Sequence, residues 1–254
     1  MVGYEKELQI TLKIADEAIK GKRNVRGLVF GYSGTGKSSL PCSISEEKRI
    51  YGVMLHGQVL SGEEISAIRD TYRTIIQKVA TTKCLIAIDE FDYLAPKKSG
   101  SKAIALTEAT HGFLDSHFSQ IQKHPLILAI TNEPCNLEPA ILERLTDRLY
   151  FPLPSASTCT KILKVNGIPH PNTIVRWLEE RGYIGRITGR SLFTFSEKLK
   201  ASTYWKRISR YSPEMLEEMM TVEQHRSNPY VNTIPNDMIN DWKKRNEGLV
   251  SMSW

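Results

Sequence analysis

Apolar residues along the chain follow two rhythms. From Tyr4, the positions Leu8, Leu12, Ala15 and Ile19 recur three or four apart, the spacing of one helix face, and the pattern stops at Gly21. Short unbroken apolar runs then appear at 27–30, 50–55, 84–88 and 126–130, each the length of a buried strand. Helical spacing fills the intervals at 63–80 and 103–122, and another helix is expected from about Gly36. Strands that alternate with helices predict an α/β fold: a parallel sheet covered on both faces in a three-layer αβα arrangement. Pro96-Lys97-Lys98-Ser99-Gly100-Ser101-Lys102 has no periodicity and reads as an exposed loop. Pro152-Leu153-Pro154-Ser155 ends regular structure, and helical spacing resumes at 158–166, 173–181, 191–208 and 213–220. The expected organisation is an amphipathic helix in 1–25, an α/β core in 26–154 and a small helical domain with a closing helix in 155–254.

Composition narrows the class. With 41% hydrophobic and 24% charged residues among 254, the chain is an ordinary globular one, and disordered or fibrous classes are excluded. No apolar run approaches the roughly 20 residues that span a bilayer. The start, MVGYEKELQI, carries glutamates where a secretory signal has its apolar centre, so a cytoplasmic location is expected. Neither the four cysteines nor the six histidines show metal-ligand spacing. The formal charge of +6 is unevenly spread: residues 1–154 hold 19 basic against 18 acidic side chains, residues 155–254 hold 15 against 10. Within 186–210, Arg186, Arg190, Lys198, Lys200, Lys206, Arg207 and Arg210 interleave with Phe193, Phe195, Tyr204 and Trp205. That cluster raises nucleic acid as a partner through phosphate contacts and stacking; a solvated helix face with its aromatics in the core explains the same pattern.

Chemistry is concentrated at the strand ends. Gly31-Tyr32-Ser33-Gly34-Thr35-Gly36-Lys37-Ser38 fits GxxxxGK[ST] between an expected strand and an expected helix. Glycines let successive backbone N–H groups turn toward phosphate, so Gly31, Ser33, Gly34, Thr35, Gly36, Lys37, Ser38 and Ser39 form the candidate ATP-binding set. Lys37 would reach the β- and γ-phosphates, and the Ser38 hydroxyl would ligate Mg²⁺. The run Cys84-Leu85-Ile86-Ala87-Ile88 ends in Asp89-Glu90, which brings two carboxylates to the same end of the sheet. Asp89 is the second candidate Mg²⁺ residue and Glu90 the candidate general base, although an Asp-Glu pair after a strand also starts helices. Asn132, after the run 126–130, is placed to orient water, or to form a turn before Pro134.

In this order and spacing, GLVFGYSGTGKSS, CLIAIDEFDYL and LILAITNEP resemble the AAA family of ATPases, a branch of the P-loop NTPases. The segment 137–154, LEPAILERLTDRLYFPLP, is similar to the family's helix ending in arginines before a strand, closest to the branch of katanin and spastin. The resemblance implies that Arg144 and Arg148 are fingers inserted into a neighbouring subunit's site, which requires a homo-oligomer such as a hexameric ring or spiral. On the residues alone, arginines near a helix end also compensate its dipole. Thr188-Gly189-Arg190-Ser191 resembles the signature opening a lid helix, which implies nucleotide contact from Gly189 and Arg190; Arg190 also reads as solvent-facing. Residues 228–244 resemble the closing proline segment and final helix, with Trp242 a packing anchor. One departure concerns the substrate: Met54 to Glu64, where family members that thread polypeptide carry an aromatic pore residue, is short and has none. The function expected is a Mg²⁺-dependent ATPase that remodels a protein complex, acting on a protein substrate or adaptor. The alternatives are a DNA-associated ATPase, such as a helicase loader or replication accessory, and a slow nucleotide-controlled assembly switch.

Overall fold

The structure, a computed structural model, describes residues 3–79, 83–97, 100–116, 125–202, 211–224 and 234–250. Strands β1 (Val25–Gly31), β2 (Tyr51–His56), β3 (Cys84–Asp89), β4 (Leu126–Thr131) and β5 (Asp147–Phe151) form one sheet in the order β2-β3-β4-β1-β5. β1 runs parallel to β4, β4 to β3, and β3 to β2. The central strands are inside on both faces: Leu28, Val29 and Phe30 of β1 and Leu85 to Ile88 of β3 are all 0% exposed. Consecutive residues point to opposite faces, so burial of both requires layers on each side, which is why these strands read as unbroken apolar runs. β2 and β5 are the edge strands, and Tyr51 at the start of β2 stays exposed.

The chain divides into two compact units. The sheet unit holds helices α1 (Glu5–Ile19), α2 (Leu40–Lys48), α3 (Gly57–Gly62), α4 (Ile65–Val79), α5 (Ser101–Leu114) and α6 (Pro139–Arg144). α4 and α5 meet through Tyr72, which stacks on Phe113 at 4.4 Å between ring centroids and has its hydroxyl 3.3 Å from Thr110 Oγ1. A final helix, α11 (Asn236–Val250), also belongs to this unit, and its buried Trp242 sits edge-on to Tyr150 at 5.9 Å. The other unit contains α7 (Ala156–Val165), α8 (Pro171–Glu180), α9 (Gly189–Ala201) and α10 (Pro213–Gln224) around Leu163, Ile174, Leu178, Leu192, Phe195 and Leu199. Ser155 and Thr188 cap α7 and α9, accepting from the amides of Thr158 and Ser191.

Four local expectations differ from the structure. The helix expected from about Gly36 begins as a tight turn, Lys37–Ser39, and becomes α2 only at Leu40. Pro41 has no N–H to give, so the helix is placed where that proline falls in its first turn. Residues 57–62, outside the helical spacing expected at 63–80, form the six-residue α3, too short to show a period in sequence. The segment 96–102 is pinned at its start, where Pro96 bridges Leu137 and the Lys97 amide donates to Asn136 O at 2.6 Å, and by Ser101 it is already α5. The buried stripe of α1 is rotated from the expected one: Thr11 lies inside, its hydroxyl bonded to the Glu7 carbonyl, while Leu8 and Ile19 sit at the margins. Lys98, Ser99, His117, His124, Tyr204 to Arg210 and Asn228 to Val231 fall outside the described residues.

Candidate nucleotide site

Strand β1 delivers the chain into the glycine-rich loop. Gly31, Gly34 and Gly36 have φ of 153°, 75° and 90°, backbone that residues with a Cβ rarely adopt, so the loop turns as its glycines allow. The Thr35 hydroxyl is buried and donates to the Tyr32 carbonyl at 2.8 Å, bracing the turn; what Thr35 can offer a phosphate is its amide. Lys37 is only 5% exposed and its ammonium donates to Gly31 O at 2.9 Å, curled over the start of its own loop. Ser38 and Ser39 are exposed. The turn Tyr32–Gly36 groups with the helical unit, where the Arg190 amide donates to Gly34 O at 3.1 Å. A Cβ on Gly34 would stand 2.9 Å from Thr188 Oγ1, and one on Gly189 would stand 3.1 Å from Gly34 O, so both glycines are fixed by close approach. Gly189 and Arg190 therefore meet this turn at the capped start of α9, through backbone as the capped signature requires.

The remaining candidates lie on neighbouring strand ends. Phe30 is level with Thr131 and Ile88 with Ala129, so Gly31 and Asp89, which end β1 and β3, and Glu90 and Asn132, just beyond β3 and β4, emerge together at one end of the sheet. Asp89 Oδ1 accepts from the Glu90 amide at 2.9 Å, and Glu90 adopts a left-handed conformation at φ 53°. A non-glycine residue held there is over-determined by its surroundings, and such residues gather at functional sites. What holds it is Gly57, the first residue of α3, at which an added Cβ would stand 2.2 Å from Glu90 O. Asn132 is half-buried. Beside it Thr131, fully buried, donates to Asp92 Oδ1 at 2.5 Å and accepts from the Glu133 amide at 2.9 Å. Asp92 lies in the short turn Phe91–Tyr93, and its carboxylate ties β4 to that turn.

Gly57 and Thr131 were not legible in the sequence. Gly57 is one glycine among 16, and only the pairing of His56 with Asp89 reveals that it abuts Glu90. The run of 126–130 read as uniformly apolar gave no reason to single out the hydroxyl that follows it.

The two arginines part company. Arg144 ends α6, as expected, and its Nε donates to both Asp115 oxygens at 2.8 and 2.9 Å. Arg148 is not at a helix end: α6 stops at Arg144, and Arg148 is the second residue of β5, 3.5 Å from Asp241 of α11. Leu145 and Thr146 separate helix from strand, so a spacing of four, which stacks two residues on one helix face, here spans a change of element. In the basic cluster, Phe195 is core and the Lys198 ammonium is buried, while Lys200, paired with Glu197, is exposed along with Arg186, Arg190 and Phe193 among the described residues.

A glycine-braced loop ending in a buried lysine, with a paired-acid strand end and an amide strand end at the same edge of a parallel sheet, defines a P-loop nucleotide-binding protein. The model of the ATPase family associated with various cellular activities (AAA) matches residues 27–153, and the chain belongs to this family. It is 30% identical over 156 residues to a cell division cycle protein 48 homolog of Archaeoglobus fulgidus, covering 58% of this chain and 21% of the relative. Over 144 residues it is 31% identical to a putative ribosome biogenesis ATPase of Dictyostelium discoideum, covering 54% of this chain and 17% of the relative. Over 141 residues it is 28% identical to Fidgetin-like protein 1 of Drosophila melanogaster, covering 54% and 27% respectively. The chain thus spans about a quarter or less of the length of these relatives. No helix among the described residues is long and apolar enough to cross a membrane.

Proposed function

We propose that the chain hydrolyses ATP and, as a homo-oligomer in a hexameric ring or spiral, couples turnover to the remodelling of a protein complex in the cytoplasm. The observation that carries this reading is the emergence of Gly31, Asn132 and Asp89-Glu90 side by side at the ends of β1, β4 and β3, with Lys37 on the loop that β1 feeds. The names of the relatives, a cell division cycle protein and a ribosome biogenesis ATPase, support the remodelling role.

The residues fit a polyphosphate and a divalent cation: a positive-φ glycine loop, a buried ammonium on a neutral carbonyl, exposed Ser38 and Ser39 hydroxyls, and a carboxylate at Asp89. Mg²⁺, held by Ser38 and Asp89, supplies neutralisation of the phosphate charge. Lys37 exchanges the Gly31 carbonyl for phosphate oxygens, trading an acceptor without formal charge for an anionic one. Asn132 orients a water; Glu90 takes its proton as the oxygen attacks the γ-phosphorus and the bond to ADP breaks, leaving phosphate. Arg144 of a neighbouring subunit meets the charge that develops on the transferring group. The same role for Arg148 would require its contact with Asp241 to open.

Glu90→Gln tests the reading. It should keep ATP affinity and lose hydrolysis by about 100-fold or more, as expected for removal of a general base. Normal turnover in that variant would mean that another group acts as base. Partners recovered on the ATP-bound variant identify the substrate. Hydrolysis by the unaltered chain that rises with DNA and falls steeply with salt would move the role to nucleic acid. Slow turnover that neither protein nor nucleic acid accelerates would make the chain an assembly switch.

A further inference from the structure

Strand β2 is paired on one side only. Along its whole length, from Tyr51 against Cys84 to His56 against Asp89, it runs parallel to β3, and no strand lies beyond it. Each strand residue sends its N–H and C=O to the same side and its neighbour sends them to the other, so every second residue of β2 addresses the open edge. Between Tyr51 and Leu55, no backbone group bonds outside the sheet among the described residues. The devices that close an edge are missing as well: β2 holds no proline and no lysine, and its register with β3 is unbroken by a bulge.

A groove lies beside this edge. α2 covers the face of β2 that carries Gly52 and Met54, so closely that a Cβ on Gly52 would stand 2.7 Å from Ser45 Oγ. A cavity of about 270 Å³ there is lined by Pro41, Cys42, Met54 and Leu85, with Glu46 its one charged residue. Glu46 is exposed, and its carboxylate has no hydrogen bond or ion pair among the described residues. It follows Ser45, which places it toward the start of β2. On the opposite face of the strand, at the same end, Tyr51 is 74% exposed.

These features select one kind of occupant. Main-chain donors and acceptors left open in strand geometry are satisfied by another extended backbone, and a small molecule would leave them unmet. The apolar lining suits an aliphatic side chain, and the unpaired Glu46, with exposed Glu47 next to it, suits a cation and repels nucleic acid. We propose that β2 and the groove along α2 dock an extended segment of a partner polypeptide as an added strand, with an aliphatic side chain in the cavity and a lysine or arginine on Glu46. None of the groove residues named belongs to the candidate nucleotide set, so docking is independent of the hydrolysis proposed above.

The test uses the whole chain and a fluorescein-labelled synthetic peptide of alternating valine and threonine that ends in two lysines, titrated by fluorescence anisotropy. The peptide should bind saturably. Methylating one alternate set of its backbone nitrogens should weaken binding about 10-fold or more, by removing donors to the edge, while methylating the other set should change little. Exchanging the two lysines for glutamates should weaken binding about fivefold, and Glu46→Lys should reverse that preference while leaving ATP hydrolysis without peptide unchanged. A readout inside the chain comes from its thiols, since Cys42 and Cys135 are exposed and Cys84 and Cys159 buried. Saturating peptide should suppress maleimide labelling of Cys42 and spare that of Cys135. Absence of binding, equal losses from both methylated sets, or a charge preference that ignores Glu46→Lys overturns the docking site and leaves the nucleotide reading untouched. Protection of Cys42 that rises with protein concentration alone assigns the edge to a second copy and overturns the partner.

Discussion

At the carboxyl ends of β1, β4 and β3, the side chains proposed for chemistry are braced by backbone; at the amino ends of β1 and β5, the charged side chains are braced by one another. Lys37 rests on a carbonyl, Asp89 on the amide of Glu90, and Glu90 makes no ion pair among the described residues. Across the sheet, Arg23 bridges Glu17 and Asp147 at 2.7 Å each, and Arg144 and Arg26 share Asp115. The difference follows from what each end has to do. A carbonyl partner carries no formal charge, so on the proposed function an incoming phosphate would compete with it for the ammonium. A carboxylate partner fixes an arginine's direction and offsets its charge within the chain. Asp147 is 11% exposed and the Arg23 guanidinium, hydrogen-bonded to it, is held protonated well above its ordinary range, so this pair also clamps the start of β5 to the chain entering β1.

The largest break in the comparison should come from Lys37→Ala. Removing the ammonium leaves the phosphate charge without its buried counter-charge, and ATP affinity should drop by at least about 100-fold, or roughly 2.7 kcal/mol, in equilibrium titration. Retained affinity would mean that the carbonyl-held lysine is a structural plug.

Gly57→Ala comes next. The added methyl would sit 2.2 Å from Glu90 O and 3.1 Å from Asp89 O, both backbone atoms that cannot swing away. Overpacking of this kind costs about 1–3 kcal/mol in urea unfolding. Displacing Glu90 should also cut single-turnover hydrolysis roughly 10- to 100-fold with ATP binding retained. If hydrolysis survives while stability falls, the left-handed geometry of Glu90 is incidental to its proposed role.

These two residues mark where the sequence was readable and where it was not. Lys37 stands in a motif whose spacing is local, and the strands around it announce themselves as apolar runs because burial on both faces demands it. The alternation of strands with helices, the acid pair and the amide strand were legible for the same reason. Gly57 acquires meaning only when β2 pairs with β3 and sets His56 beside Asp89, a long-range register that no local pattern encodes. Asp115 behaves likewise: it lies far from Arg144 in sequence and adjacent in space. Only the expected place of Arg148 at a helix end differs, because helix and strand meet within two residues of Arg144.

Thr131→Val probes the backbone-braced end more gently. Valine keeps the shape of a fully buried side chain but removes the donor to Asp92 and the acceptor for the Glu133 amide. Because the Asp92 carboxylate then has no hydroxyl to accept from and the Glu133 amide no oxygen to donate to, stability should fall by about 2–3 kcal/mol in urea unfolding. Asn132, the next residue, should lose its set position, so kcat should fall by a smaller factor than in Gly57→Ala. Unchanged stability would place Asp92 in water rather than on β4.

Arg148→Ala should have the smallest effect, and it separates the two arginines. Its partner lies 3.5 Å away and the two side chains are 26% and 33% exposed, so solvent screens the pair and its contribution should be about 0.5 kcal/mol. Asp241→Asn removes the same contact between β5 and α11, so Arg148→Ala should add little in the double variant. When Lys37→Ala chains, which keep Arg144, are mixed with Arg144→Ala chains, hydrolysis should reappear at mixed interfaces, and Arg148→Ala added to the Lys37→Ala chain should leave that recovery within about twofold. Should Arg148→Ala instead abolish recovery, the Asp241 contact must open on assembly. The Asp241→Asn variant, already released, would then hydrolyse ATP faster than the parent chain at low protein concentration, where assembly limits the rate.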